Sequence, residues 1–340
     1  MRDDAAAAAD DGARPPHPLP PRGGRVSEPL LEIEDLVVGY RQGRKGVVQA
    51  VDGVSLAVAA GAMVALVGES GCGKTTTAQA AMRMAPIASG RIRYRGADIT
   101  ALGSRALRPI RRELQLIFQD PYESLDPRFR VRDTVLEPLQ IHGIADDREG
   151  RMRRALERAG LTPPELYLDR YPHELSGGQR QRVSIAAALA LEPTMLLADE
   201  PVSMLDVSVR AGILGLLDDL RRDGLGVLMI THDLSTAARY ADRICVMYLG
   251  RIVEEGPTAE VIGDPRHPYT QALLSVVPRP DPDDAGEPRI LRGETPNPAD
   301  VPTGCRFHPR CPVAQDRCRT DDPVLAPAGA AGHRAACPYA

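Results

Sequence analysis

The stretch "MVALVGESGCGKTT" (residues 63–76) constrains the fold of this chain more than any other part of the sequence. An apolar run leads into a glycine-rich turn, and good helix formers follow, so the pattern predicts a strand, a loop and a helix. Gly68, Gly73, Lys74 and Thr75 have the spacing of a phosphate-binding P-loop. The sequence therefore predicts a nucleotide site at this turn.

The chemistry of the turn explains its residue types. Glycines let backbone N–H groups surround phosphates, Lys74 reaches the β and γ phosphates, and Thr75 offers its hydroxyl to Mg²⁺. Only Lys45 and Lys74 are lysines among the 42 basic residues, and Lys74 stands where a compact ammonium group suits a phosphate better than a guanidinium. The predicted contact residues are Gly68, Ser70, Gly71, Cys72, Gly73, Lys74, Thr75 and Thr76.

Three other apolar runs end in polar residues that suit phosphate chemistry. "TMLLADEP" predicts a buried strand that delivers Asp199 and Glu200 at the edge where open α/β sheets place their sites. We expect Asp199 to hold Mg²⁺ and Glu200 to polarise the attacking water. "GVLMITHD" places His232 for a γ-phosphate contact, and Gln119 follows the strand-like "LQLIF". Gln119 taken alone is equally well an ordinary surface glutamine.

A second glycine turn, "HELSGGQRQR" (residues 173–182), stands where a helix is predicted to begin. Helix N-termini attract anions, because their free N–H groups and the helix dipole carry partial positive charge. The chain thus has two turns suited to phosphate, roughly a hundred residues apart.

Length and composition exclude several classes of protein. A chain of 340 residues holds one large domain and a smaller one, and a net charge of −4 gives no reason to expect nucleic-acid binding. No run approaches the ~20 apolar residues of a membrane span. Residues 1–28 have acids where a signal peptide needs positive charge, so we interpret them as a disordered leader of a cytoplasmic protein.

The motifs together resemble those of a known family. The P-loop, Gln119, "LSGGQRQR", "LLADEP", "SMLD" and His232, in this order and spacing, resemble the nucleotide-binding subunit of an ABC transporter over roughly residues 29–268. The resemblance implies an α/β fold: a RecA-like P-loop core with a parallel sheet, an N-terminal antiparallel β subdomain and an inserted helical subdomain. That subdomain, at about residues 105–190, would dock on membrane subunits.

The resemblance also assigns the second glycine turn. ABC ATPase domains pair head to tail, so one chain's signature turn closes on the ATP that its partner's P-loop holds. By this resemblance Asp206 lines the interface, Tyr40 stacks on adenine, and Gln119 joins Mg²⁺ and water to the helical subdomain. The residues implied to contact the partner's γ-phosphate are Ser176, Gly177, Gly178 and Gln179.

Segments outside the shared motifs indicate the branch of the family. "FQDPYESLDPR", "RYPHELSGGQ", "HPYTQALLSVVP" and the tail "PTGCRFHPRCPVAQDRCRTDDP" resemble the oligopeptide/dipeptide importer ATPases, whose relatives also handle nickel and other small solutes. The resemblance implies Mg-ATP hydrolysis that drives uptake at the cytoplasmic face of the cell membrane. Its partners would be two permeases, a second ATPase subunit (a copy or a related chain) and an extracytoplasmic solute-binding protein, with no nucleic acid.

Two rival functions stay open on the sequence. An ABC ATPase that serves an exporter has the same motifs, and only the importer-like segments argue against it. A soluble ABC ATPase that acts on DNA or ribosomes usually has two motif sets or a long coiled coil. The chain has one set and no sustained heptads, which disfavours that function.

The C-terminal extension, residues 269–340, is predicted to be mostly irregular and contains a cluster of cysteines. Cys305, Cys311, Cys318 and Cys337 fall within the last 36 residues. Their spacing is not the paired C-x₂-C of zinc ribbons, and the sequence suggests a 4Fe–4S cluster, with zinc and free or disulfide-linked thiols as alternatives. A metal would supply a core that the proline-rich extension lacks.

Overall fold

The computed structural model of the chain describes residues 28–41, 46–277, 291 and 293–340. The expected leader, apart from Glu28, lies outside the described residues.

The strands, numbered along the chain, share a rich content of Val, Ile, Leu and Ala. They are β1 (Pro29–Arg41), β2 (Val47–Ala59), β3 (Met63–Val67), β4 (Ile87–Tyr94), β5 (Ala97–Asp98), β6 (Leu114–Ile117), β7 (Met195–Asp199), β8 (Gly226–Thr231), β9 (Arg243–Tyr248), β10 (Arg251–Pro257), β11 (Ala326–Pro327) and β12 (Arg334–Ala335).

The helices lie between these strands. They are α1 (Lys74–Ala81), α2 (Ser104–Glu113), α3 (Pro121–Ser124), α4 (Val131–Ile141), α5 (Arg148–Arg158), α6 (Gly177–Leu189), α7 (Val207–Arg222), α8 (Leu234–Tyr240), α9 (Thr258–Gly263) and α10 (Pro268–Ser275). No helix among the described residues combines the length and apolar character that a membrane crossing demands.

Two sheets organise the molecule. The first is antiparallel, with the strand order β2-β1-β4-β5. The second runs β11-β12-β10-β9-β3-β8-β7-β6, and its strands from β9 to β6 are parallel. These sheets confirm the expected α/β fold with a parallel core and an N-terminal antiparallel β subdomain.

The core sheet is buried on both faces, which explains why its strands have continuous apolar runs. Met63, Ala65 and Val67 of β3 pack into one cluster with helices α4 to α7, whereas Val64 and Leu66 pack into a second cluster with the antiparallel sheet and α1. The alternation follows from the two-residue period of a strand. All five β3 side chains are at most 3% exposed.

The inserted segment is helical from α3 to α6, as expected, but it is preceded by a core strand. Strand β6 pairs in parallel with β7, so residues 114–117 belong to the core sheet although they fall inside the range predicted for the helical subdomain. Helix α6 begins at a capping box, in which Ser176 Oγ accepts from the Gln179 N–H and Gln179 Oε1 accepts from the Ser176 N–H.

The C-terminal extension is built into the core sheet. It consists largely of turns, with single 3₁₀ turns at His308–Arg310 and Asp316–Arg319. Its strand β12 pairs antiparallel with β10, and β11 pairs with β12. The expectation of a mostly irregular extension holds for the described residues, but the sequence did not indicate that the extension lengthens the core sheet.

Candidate active site

The glycine turn between β3 and α1 forms a tight cradle that excludes larger residues. Gly71 and Gly73 have φ values of 78° and 108°, a region that L side chains rarely adopt. A Cβ on Gly73 would lie 2.2 Å from the Ala50 carbonyl oxygen, and one on Gly68 would lie 2.2 Å from that of Met247. These glycines are therefore required by the backbone itself, which leaves N–H groups at the start of α1 for phosphate.

Lys74 lies at the centre of this cradle. Its Nζ donates to the carbonyl oxygens of Gly68 at 2.7 Å and Glu69 at 2.9 Å, and the residue is 5% exposed. The ammonium group is thus held inside the loop, where its charge favours a bound phosphate.

Thr75, at the start of α1, contacts Asp199, the last residue of β7, although the two are 124 residues apart in sequence. The Thr75 hydroxyl donates to Asp199 Oδ1 at 3.1 Å. Burial raises the pKa of the Asp199 carboxyl, and the hydrogen bond from Thr75 opposes that change only in part. A hydroxyl and a buried carboxylate are hard oxygen ligands, so these residues fit the Mg²⁺ site that the sequence predicted.

Glu200 faces the same cradle and is held by two neighbours. Glu200 Oε2 lies 3.1 Å from His232 Nδ1 and 3.5 Å from Gln119 Nε2. The backbone of Glu200 has a φ of 43°, which is uncommon for a residue with a side chain. Strain of this kind is concentrated at functional sites, where the surrounding structure enforces it.

These residues line one cavity of ≈ 590 Å³, a size typical of small-molecule sites. Its lining residues are Ala50, Glu69, Ser70, Gly71, Gly73, Lys74, Thr75, Thr76, Gln119, Glu200, His232 and Leu273. An adjoining cavity of ≈ 510 Å³ is lined by Asp199 together with Thr75 and Gln119. The fold thus brings Lys74, Gln119, Glu200 and His232, the four residues that the sequence predicts to be catalytic, together with most of the predicted P-loop contacts.

Some predicted contacts lie outside this cavity. Gly68 contributes its carbonyl to Lys74, Cys72 is 1% exposed beneath the loop, and Tyr40 is 39% exposed at the end of β1. The signature residues Ser176, Gly177, Gly178 and Gln179 form the start of α6, and Asp206 precedes α7. The roles assigned to Tyr40 and to these residues stay predictions.

Sequence reasoning missed three lining residues, Ala50, Glu69 and Leu273. Glu69 stands inside the quoted P-loop, at a position where the motif accepts any residue, so its proximity to the motif was the available signal. Ala50 and Leu273 carry no polar group, and only the fold reveals their place.

The four clustered cysteines lie near one another in the extension. Burial raises the pKa of the Cys305 thiol, and the thiols of Cys318, Cys311 and Cys337 raise it further. Within the described part of the chain, however, no set of three or more His, Cys, Asp or Glu side chains is arranged to hold a metal ion. The structure of the described residues therefore gives no support to the expected 4Fe–4S cluster or zinc.

Two regions of the chain match known families. Residues 51–203 match the ABC transporter family, and residues 253–318 match the oligopeptide/dipeptide transporter C-terminal region. A Brucella ovis protein named as a peptide import ATP-binding protein is 47% identical over 300 residues. These residues cover 87% of this chain and 94% of that protein. The oligopeptide transport ATP-binding protein AppF of Bacillus subtilis is 43% identical, over 91% of this chain and 97% of AppF.

A solved structure agrees with these matches. A dimeric ATP-binding cassette in a post-hydrolysis state with ADP and Pi has a TM-score of 0.61 and 29% identity, and the match covers 67% of this chain and 98% of that one. The P-loop site of this chain corresponds to the nucleotide site of that cassette. ATPases of this family work as dimers with membrane permeases. The chain therefore belongs to the ATP-binding subunits of ABC transporters, in the branch that carries the oligopeptide/dipeptide transporter C-terminal region.

Proposed function

We propose that this ATPase subunit of an ABC importer drives the uptake of peptides. The cargo class is proposed from the C-terminal region, because residues 253–318 match a region described for oligopeptide/dipeptide transporters. The names of the relatives, which refer to peptide import and oligopeptide transport, support the same class. We expect the permeases and the solute-binding protein, rather than this chain, to select the peptide.

The hydrolytic chemistry follows from the site. Thr75 and Asp199 would hold Mg²⁺, which when bound neutralises phosphate charge and orients the phosphates. Glu200, oriented by His232 and Gln119, accepts the proton of the attacking water. Lys74 and the N–H groups of the glycine turn stabilise the charge that develops on the transferred phosphoryl group.

The proposal places the chain in a larger assembly. We expect it at the cytoplasmic face of the cell membrane, with two permeases, a second ATPase subunit and an extracytoplasmic solute-binding protein. Tyr122 and Phe118, which flank Gln119 in the sequence, expose 64% and 42% of their surface, and we propose that they contact the permeases. Exposed aromatic residues of this kind are typical of protein contacts.

Copurification tests the proposal. The tagged chain is extracted in mild detergent, and the proteins that accompany it are identified by mass spectrometry, with the tag alone as control. We expect two multi-span permeases, a second ATPase and a binding protein whose bound ligand is a peptide. Ribosomal or DNA-repair partners without any membrane protein would contradict a function in transport. A binding protein that retains nickel or another solute would contradict a peptide as the cargo.

A further inference from the structure

The C-terminal extension reaches directly into the P-loop. The Glu69 carboxylate accepts hydrogen bonds from both terminal nitrogens of Arg310, Nη1 to Oε2 at 2.7 Å and Nη2 to Oε1 at 3.0 Å. The Thr295 hydroxyl donates to the same Oε2 at 2.7 Å. Glu69 is the second residue of the glycine turn, whereas Arg310 and Thr295 lie more than 220 residues further along the chain.

The backbone of Glu69 is held as firmly as its side chain. Its N–H donates to the Tyr269 hydroxyl of α10 at 2.9 Å, and its carbonyl oxygen accepts from Lys74 Nζ at 2.9 Å. One residue thus joins the C-terminal part of the chain to the lysine of the phosphate site. Leu273, also of α10, lines the cavity itself.

This junction is shielded from water. The Arg310 side chain is 8% exposed and that of Glu69 27% exposed. Above them Tyr248, Tyr269 and Phe307 pack with ring centroids 4.7 to 5.5 Å apart. Burial raises the pKa of Glu69, but the hydrogen bonds from Arg310 and Thr295 outweigh burial and hold the pKa below its usual range. A bidentate arginine–carboxylate pair in such surroundings fixes geometry more strictly than a single hydrogen bond does.

We propose that Arg310 is a positioning residue of the nucleotide site: through Glu69 it holds the P-loop turn in the shape that presents Lys74 and the loop N–H groups to phosphate. The C-terminal extension then sets the affinity for ATP. By thermodynamic reciprocity, bound nucleotide must in turn tighten the seating of the extension.

Other contacts attach the extension without touching the P-loop, and they supply a matched control. Arg334 Nη1 lies 3.1 Å from Glu255 Oε1, at the pairing of β12 with β10. Loss of this half-exposed ion pair weakens the attachment of β12 only slightly and leaves Glu69 unchanged. Arg334→Met therefore controls for the removal of an arginine–carboxylate pair of the extension that does not touch the P-loop, and positioning of the P-loop predicts that only the Arg310 variant loses ATP affinity.

The test compares Arg310→Met, Glu69→Gln, the double variant and Arg334→Met in the full-length chain. ATP binding is titrated with a fluorescent ATP analogue, and steady-state hydrolysis gives KM and kcat. For Arg310→Met and Glu69→Gln we expect a Kd and KM raised by about tenfold, with kcat changed by less than about twofold. The double variant should be no worse than either single variant, because both remove the same pair.

Arg334→Met should bind ATP within about twofold of the wild type, and Arg310→Lys, which keeps the charge but not the fork, should be intermediate. Thermal unfolding without nucleotide checks that each variant folds. If Arg310→Met does not fold, the ATP affinity of Glu69→Gln tests the proposal by itself, because this substitution preserves the size of the side chain. Unchanged ATP affinity in Glu69→Gln, or an equal loss in Arg334→Met, would overturn the proposal.

Discussion

Asp199 shows, at the scale of a single residue, that a side chain needed for activity can lower the stability of the folded protein. Its side chain is buried, and burial raises its pKa above the ordinary value of 3.8. Because the folded protein holds this proton more tightly than the unfolded chain does, the protein loses stability as the pH rises from that ordinary value through the raised pKa of the folded state. Bound Mg²⁺ would offset that loss by compensating the charge.

Asp199→Asn should therefore stabilise the nucleotide-free protein and abolish its Mg²⁺-dependent activity. Asparagine removes the buried charge and keeps an oxygen that accepts from Thr75, so we expect Tm to rise by about 1–3 °C. Asp219→Asn, at a side chain 73% exposed, is the control and should leave Tm nearly unchanged. Differential scanning calorimetry at pH 7 measures both, and a lower Tm for Asp199→Asn would contradict the argument.

Glu200 is the second test at this scale. In Glu200→Gln the amide occupies the same space between His232 and Gln119 but accepts no proton from water, so kcat should fall by about a hundredfold or more. ATP should still bind, and because it is not hydrolysed, the dimer should stay closed. Phosphate release measures turnover, with Glu157→Gln on α5 as the control. Near-normal turnover in Glu200→Gln would mean that the base is misassigned.

At the scale of elements, strand β12 shows how the extension is anchored. His333 Nε2 lies 2.7 Å from Glu254 Oε1, and both side chains are fully buried. The Glu254 carboxylate also accepts the N–H groups of Arg266 and His267, at 2.7 and 2.9 Å. One buried carboxylate therefore ties β10, the segment before α10 and the end of the chain together.

His333→Ala should loosen this junction, because it opens a cavity and removes one partner of a buried carboxylate. We expect a loss of roughly 2–4 kcal/mol in the free energy of unfolding and faster proteolysis of the extension. Arg334→Met, whose side chain is 48% exposed, should cost no more than about 1 kcal/mol. Urea unfolding and limited proteolysis compare the two, and equal effects would show that His333 has no special role.

The elements also show what the sequence could predict. Strand, turn and helix at the P-loop were predictable because Gly68, Gly73 and Lys74 stand at fixed spacing in a local motif. The meeting of Thr75 with Asp199 followed from the rule that parallel strands end at one sheet edge. The contacts of Arg310 with Glu69 and of His333 with Glu254 were not predictable, because long-range pairing of single charges leaves no periodic or local pattern.

At the scale of the whole molecule, we predict that the two glycine turns serve different nucleotides. The signature residues at the start of α6 do not line the cavity formed by the P-loop of the same chain. Gly178 also has a packing role, since a Cβ there would lie 2.4 Å from Val209 Cγ1 of α7. A helix N-terminus that faces outward and meets phosphate only when two subunits close makes closure depend on ATP.

Mixing two inactive chains tests this arrangement. Lys74→Ala removes the phosphate lysine, and Gly177→Asp places a negative charge at the signature turn, so each variant alone should lose ATPase activity. In an equal mixture, half of the dimers pair the two variants, and each such dimer has one intact site. We therefore expect about a quarter of the wild-type activity. Either variant mixed with the double variant should stay inactive, since no intact site can form. An equal mixture of the two single variants without activity would mean that copies of this chain do not complete each other's sites, and that the signature turn serves a different ATPase subunit.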